Sequence, residues 1–381
     1  MKLYKLSSQL DAKALLQTVG VTHEGSALLI PKTHLNLIYI KDLKTPAANI
    51  LKQDALSIGA DLAVPKDTIT CKVPLVDAVL IANDKQLKEL AHKEKIQPFG
   101  LKEVAQKLSE FTFTCKDDFS VMGIINTNED SFFQGSRFKD EAALKHVECM
   151  IEEGATMIDL GGVSSRPGSL GVSEQEELLR VKPIIDLIFK HKLFEKAQFS
   201  LDSYSPLCLE YALTHGFSIV NDITALANDD VARVTAKYDA TVILMHMQGD
   251  PKSMQYEPAY DNVILEVDAF FEERIAKALQ FGIKKIVLDV GIGFGKNLEH
   301  NLQLLKHHEH FLHFGYPLLV GASRKSMIDK IIPTPIDERL PGTLALHLKA
   351  YEHGASIIRA HDVKAHVQAL SVLKALNQTT I

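Results

Sequence analysis

From about Phe119 onward the chain repeats one unit: a short apolar run, a polar tail, then a helical stretch. The runs are "SVMGIIN", "TMIDLGG", "FSLDS", "SIVNDI", "TVILMHM", "KIVLDVG", "PLLVGAS" and "SIIRAHD". Each is rich in Val, Ile and Leu and apolar at successive positions, as in a strand buried on both faces of a parallel sheet. Between them lie segments such as "KDEAALKHVECMIEEG" (139–154) and "YDNVILEVDAFFEERIAKALQFG" (260–282), apolar at helical spacing and ending in glycine. Alternating strands and helices imply a parallel sheet. Eight units in about 260 residues match a (β/α)8 TIM barrel in count and length. A doubly wound open sheet would usually need fewer strands. The expected fold is therefore α/β, with the barrel over residues 113–381.

Residues 1–112 lack that regular spacing. "LNLIYIKDL" and "DAVLIAND" read as strands, "KQLKELAHKEK" and "GLKEVAQKLSEF" as helices. The expectation is a small α/β N-terminal domain of unknown function. The join falls near "FTFTCKDDF", a stretch that could form a hairpin closing the bottom of the barrel.

A length of 381 residues suits one large domain plus a small one. The net charge of −6 argues against a nucleic-acid surface, so any anion site must be built locally. Four scattered cysteines without a C-x-x-C pair suit reduced thiols. The start "MKLYKLSSQLDAK" lacks a signal-peptide core, and no apolar run approaches the roughly 20 residues that span a bilayer. A cytoplasmic location is expected, with no membrane or nucleic-acid partner.

In such a barrel the active site lies at the C-terminal ends of the strands. Those ends read Asn126, Asp159, Asp202, Asn221–Asp222, His246, Asp289, Ser323–Arg324–Lys325 and Arg359–His361. Any one Asp or Asn could simply cap the following helix. Lys325, Arg359 and His361 cannot serve as such acceptors, so a pure capping explanation fails. Asp202, Asn221 and Asp289 supply acceptors and an amide; an ionised carboxylate can grip an N–C–N edge through two parallel hydrogen bonds. Lys325, Arg359 and His361 sit on the last strands, where these barrels often bind phosphate. One side suits a flat nitrogen heterocycle such as an amino-pyrimidinone, the other an anion.

Several motifs fail on inspection. "GIGFGK" (291–296) resembles a phosphate loop, but Val290 stands where the first Walker glycine belongs and Asn297 follows the lysine. Its glycines are expected to let a short loop turn closely over a ligand, with Phe294 as a wall. "HHEHFLH" (307–313) has no matching Cys or carboxylate spacing and reads as a solvated helix end rather than a metal site. A Schiff-base role for Lys325 is disfavoured because Ser323 and Arg324 offer no apolar pocket to depress its pKa. "MHMQGDPKSMQ" (245–255) reads equally as a methionine-lined lid or as a loop whose methionines fill core gaps.

Taken in order, "MGIINTNEDSF", "DLGGVSSRPGS", "SLDSY", "VNDI", "LMHMQGDPKSMQ", "LDVGIGFGK", "LVGASRKSMI" and "GTLALHLKAYEHGASIIRAHDV" resemble the signature segments of the dihydropteroate synthase family. The resemblance spans about residues 119–363 and leaves the N-terminal region outside the family's common core. It implies a folate-synthesis transferase of TIM-barrel fold and a sulfonamide target. Such an enzyme joins p-aminobenzoate to hydroxymethyl-dihydropterin diphosphate and releases pyrophosphate, with Mg2+ as cofactor and a homodimer as the usual state. Carried onto this sequence, the pterin ligands are Asp202, Asn221, Asp289 and Lys325. The diphosphate ligands are Asn126 (also the Mg2+ ligand), Arg359 and His361. Ser165, Arg166, Pro167, Phe294 and Ser326 fall in the p-aminobenzoate pocket. Asp202, Asp289, Lys325, Arg359 and His361 carry the catalytic role, and Asp130, Ser131 and Phe132 keep the register of a flexible loop.

The chain departs from the family pattern in that loop, where Thr127-Asn128-Glu129 replaces Val-Thr-Pro and removes a stiffening proline. Val163 stands in place of a glutamate, Ser165 of a threonine and Val290 of a proline. Two rivals remain. A pterin-dependent methyltransferase would not need the cations of "SRKS" and "RAHDV". A catalytically weak pterin-binding paralogue would draw its support from the altered loop.

Overall fold

The computed structural model describes residues 1–381 except 2, 5, 7–10, 112–117, 128–136, 164–171, 250–253, 255 and 380–381. The chain divides into two compact units, one of Met1–Thr114 with Lys374–Ile381 and the other of Cys115–Leu373.

The first unit holds β1 (Leu35–Lys44), β2 (Asp61–Ala63) and β3 (Leu75–Asn83) in an antiparallel sheet of order β1-β3-β2. The helices Asp84–Glu94 and Leu101–Glu110 occur where their amphipathic spacing places them. Asn83 opens the first of these with a capping box closed by Gln86. The helix Thr45–Ser57 and the short β2 were not legible as such. Leu51, Leu80, Leu87, Leu90 and Leu101 form a core separate from that of the barrel. The hairpin expected at the join lies outside the described residues.

In the second unit all eight apolar runs become parallel strands: β4 (Ser120–Asn126), β5 (Met157–Gly161), β6 (Gln198–Asp202), β7 (Ile219–Asp222), β8 (Thr241–Met245), β9 (Ile286–Asp289), β10 (Leu318–Val320) and β11 (Ala355–Ala360). They close into a barrel in sequence order, with β11 pairing β4. Helices alternate with the strands, which makes the unit a (β/α)8 barrel.

The alternation of strand side chains explains how the polar residues reach one end. Met122, Ile219, Ile243, Val287, Leu319 and Ile357, with Met157 against them, form a small apolar cluster apart from the main core. Two residues further along their strands come Asn221, Asp289, Arg359 and Asp159, which share the inward face. The interior is thus an apolar plug below and a polar layer above.

Candidate active site

Asn126, Gly161, Asp202 and Asn221 are register partners on the adjacent strands β4 to β7. A Cβ on Gly161 would lie 3.4 Å from Asn126 Oδ1 and 3.8 Å from the Asp202 Cβ, so the glycine keeps open the gap between them.

The centre of the polar layer is an ion-pair cluster. Arg359 Nε and Nη2 donate to Asp159 Oδ2 at 2.7 and 2.6 Å, and Nη2 also meets Asp202 Oδ2 at 3.1 Å. Asn221 Nδ2 donates to the same Asp159 oxygen at 3.0 Å. Asp159 is fully buried, and its Oδ1 has no hydrogen-bond partner among the described residues. One guanidinium cannot neutralise two carboxylates. Burial first, and then the charge of Asp159, push the Asp202 pKa up to about 7. Burial alone would pull the Arg359 pKa down, but the fields of Asp159 and Asp202 hold it above its ordinary value.

A second cluster joins β9 and β10. Asp289 accepts from the Gly291 N–H at 2.8 Å, and burial raises its pKa against the pull of Lys325. Lys325 Nζ donates to the Ile292 carbonyl and lies 4.8 Å from the Phe294 ring centroid. Burial pushes the Lys325 pKa down to about 8, with Asp289 opposing. This corrects the expectation that its neighbours could not depress it. The depression comes from burial and, secondarily, from the charge of Arg359 on β11, not from Ser323 and Arg324. Near the end of β11, Ser323 Oγ is 2.9 Å from His361 Nδ1 and accepts the His361 N–H at 3.2 Å. Arg324 pairs with Asp362 through two contacts of 3.0 and 2.6 Å, so it anchors the loop.

Some strand-end residues turn out to be local. Asp222 accepts from the N–H groups of Thr224 and Leu226 at 2.7 and 2.8 Å, as a turn residue does. His246 lies buried next to Lys296, whose Nζ is 2.9 Å from its Nδ1. Burial and the lysine charge hold His246 far below its usual pKa, hence neutral.

Lys296 is the residue that sequence reasoning missed. It is 2 % exposed, donates to the Phe294 carbonyl at 2.9 Å, and burial pushes its pKa down to about 7. The only signal was "GIGFGK", which reads as a failed phosphate loop. A Cβ at Gly293 (φ +85°) would come 3.2 Å from Lys325 Cδ, while the other two glycines of positive φ meet backbone. A Cβ at Gly291 (φ +67°) would fall 1.9 Å from the His246 carbonyl oxygen, and one at Gly295 (φ +62°) 2.4 Å from that of Gln248. The close approach is to the chain's own backbone, and Lys296 locks it.

Phe294 is half-buried beside Lys325, and Ser326 is exposed at the start of the helix Ser326–Ile331. Ser165, Arg166, Pro167, Asp130, Ser131 and Phe132 lie outside the described residues. So does part of the 245–255 segment, of which Met245 and Met254 are buried.

A parallel barrel with carboxylates, an amide and cations converging at its strand ends defines a barrel enzyme for a ligand both polar and anionic. Residues 122–361 match the family described as pterin binding enzymes. A bifunctional dihydropteroate synthase/dihydropteroate reductase of Helicobacter pylori is 43% identical over 368 residues, covering 96% of this chain and 97% of that protein. The dihydropteroate synthase of Escherichia coli K12 is 46% identical over 258 residues, 67% of this chain and 90% of that one. A crystal structure of Yersinia pestis dihydropteroate synthase with a sulfonamide drug superposes with a TM-score of 0.65 at 39% identity, covering 70% of this chain and 99% of that one. The chain belongs to the pterin-binding enzyme family. Among the described residues, no helix is long and apolar enough to cross a membrane.

Proposed function

We infer that the barrel is a dihydropteroate synthase, a transferase of folate synthesis. It condenses p-aminobenzoate with 6-hydroxymethyl-7,8-dihydropterin diphosphate, giving dihydropteroate and pyrophosphate. The observation that carries this reading is the junction of Asp202 and Arg359: a carboxylate fit for an amino-pyrimidinone edge touches a cation fit for diphosphate. The methylene between the two ligand halves would lie beside that junction. The C–O bond breaks with its electron pair leaving on pyrophosphate. The aniline nitrogen forms the C–N bond and gives up a proton to solvent.

Positive charge grows on the pterin and negative charge on the leaving group; the carboxylates Asp202 and Asp289 would stabilise the first and the guanidinium of Arg359 the second. In this reading Asp202, Asn221, Asp289 and Lys325 hold the pterin, while Arg359 and His361 hold the diphosphate. Phe294 and Ser326, with Ser165, Arg166 and Pro167, receive p-aminobenzoate. Asn126 fits one position around Mg2+, because that ion takes few protein oxygens and fills its shell with phosphate and water. Gly161 leaves room beside the Asn126 oxygen for such a shell. The ion, when bound, supplies positive charge to the leaving diphosphate. A cytoplasmic location completes the reading.

The methyltransferase alternative needs no diphosphate site and so gives no role to Arg359 and His361. A second activity has firmer support. The bifunctional Helicobacter pylori protein aligns over 96% of this chain, whereas the Escherichia coli synthase aligns over 67%. The added length is about that of the N-terminal unit. We attribute to the full chain a reduction of dihydropteroate, in which a reduced nicotinamide or flavin donor passes a hydride to the C=N bond and solvent supplies the second proton.

The test is an assay of the whole protein with Mg2+, both substrates and then each donor. Pyrophosphate should appear only when p-aminobenzoate is present, matched one to one by dihydropteroate. Donor consumption should follow product formation. Tight pterin binding without dihydropteroate would instead favour the non-catalytic binder.

A further inference from the structure

The histidine-rich segment 307–313 is not the solvated helix end expected from its sequence. It forms a 3-10 helix, His308–Phe314, between β9 and β10, with His308 and Phe311 buried. Side chains three apart eclipse in a 3-10 helix, so His310 and His313 project on one side. Their rings lie 5.1 Å apart, centroid to centroid. The third member comes from the helix Val263–Gln280: Asp268 Oδ1 is 3.0 Å from His310 Nε2 and 2.6 Å from His313 Nε2. A shared aromatic base fixes the two elements. Phe271, one turn on from Asp268, packs edge-on against Phe311 and Phe314 at 5.7 and 6.0 Å.

We propose that Asp268, His310 and His313 form a transition-metal site, best suited to Zn2+, on the outer helical layer of the barrel and separate from the strand-end cluster. Three donor atoms from a buried carboxylate and two imidazoles lie within 4.8 Å of one another. Two histidines and one carboxylate are a common zinc donor set, and imidazole nitrogen selects Zn2+, Co2+ or Ni2+ over Mg2+. Tetrahedral bonds of about 2.0–2.1 Å place ligand atoms about 3.3 Å apart, so the Asp268 contacts of 3.0 and 2.6 Å would open by about 0.3 and about 0.7 Å. As the metal enters, each Nε2 presents its lone pair, the ring proton being carried on Nδ1, and the Asp268 carboxylate supplies negative charge. Burial alone would raise its pKa, but hydrogen bonds from His310 and His313 outweigh that and hold it well below the carboxylate range. His310 is the most open of the three, with 22% side-chain exposure against 8% for His313 and 7% for Asp268. A fourth ligand, water, would therefore enter on its side. The bound ion would tie the β8–β9 helix to the segment leading into β10.

The test uses the full, untagged chain after chelator treatment, titrated with Co2+ and Zn2+ alone and without substrates. One equivalent of Co2+ should bind with the visible absorption of a tetrahedral site, be displaced by Zn2+, and resist excess Mg2+. Zn2+ should raise the unfolding temperature. His310→Ala and His313→Ala should each weaken binding by about 100-fold, with circular dichroism confirming their fold. No tetrahedral Co2+ spectrum in the native protein would overturn the proposal. So would binding that survives both substitutions, since another group would then hold the ion.

Discussion

Asp202→Asn is expected to lower kcat/KM for the pterin diphosphate by about 100- to 1,000-fold. The carboxylate offers two acceptors to an N–C–N edge; the amide offers one acceptor and turns a donor toward the ligand. The protein itself should not lose stability. Asp202 shares Arg359 with the fully buried Asp159, and its pKa stands near 7 because ionisation there is opposed. A carboxyl whose folded pKa is raised adds stability that is complete below the unfolded carboxylate range and lost as pH rises through about 7. Above that pH the asparagine variant should therefore melt no lower than the native protein. Ligand affinity has the opposite slope. The native protein should bind pterin diphosphate more tightly as pH rises through about 7, and Asp202→Asn should lose that dependence. Calorimetric titration across this range checks both. A variant that binds normally would remove Asp202 from the site.

Arg359→Ala carries the other large effect, and here stability and activity fall together. It leaves the buried Asp159, and Asp202, without their cation. Breaking such a buried pair costs about 3–5 kcal/mol. The loss should shrink at acid pH, where the stranded carboxylates take up protons. Arg359→Lys restores the charge without the fork and separates the two roles: stability should largely return, while the diphosphate KM stays raised. Chemical denaturation at two pH values and steady-state kinetics read the two effects independently. Unchanged diphosphate affinity in both variants would leave Arg359 with a structural role alone.

These effects show where sequence suffices. The eight barrel strands were legible because each is buried on both faces, which forces an unbroken apolar run. Asp202, Asn221, Asp289, Lys325 and Arg359 were legible as strand ends for the same reason, since polarity there has no use in the core. Their wiring was not. The ion pair of Arg359 with Asp159 joins residues 200 positions apart, and nothing local marks it. Lys296 hid in a loop where Gly291 and Gly295 answer to the backbone of the neighbouring 246–248 segment. The carboxylate partner of the histidine segment lies 42 and 45 residues upstream, on another helix. In the N-terminal unit a strand of three residues, Asp61–Ala63, is too short to show a period.

The most direct measurement is a crystal structure of the full chain with pterin, pyrophosphate and Mg2+. The pterin amino-pyrimidinone edge should rest on Asp202, with Asn221, Asp289 and Lys325 around the ring. Pyrophosphate should meet Arg359 and His361, with the ion on Asn126. Pterin bound away from the strand ends, with Arg359 still closed on Asp159 and Asp202, would contradict the assignment.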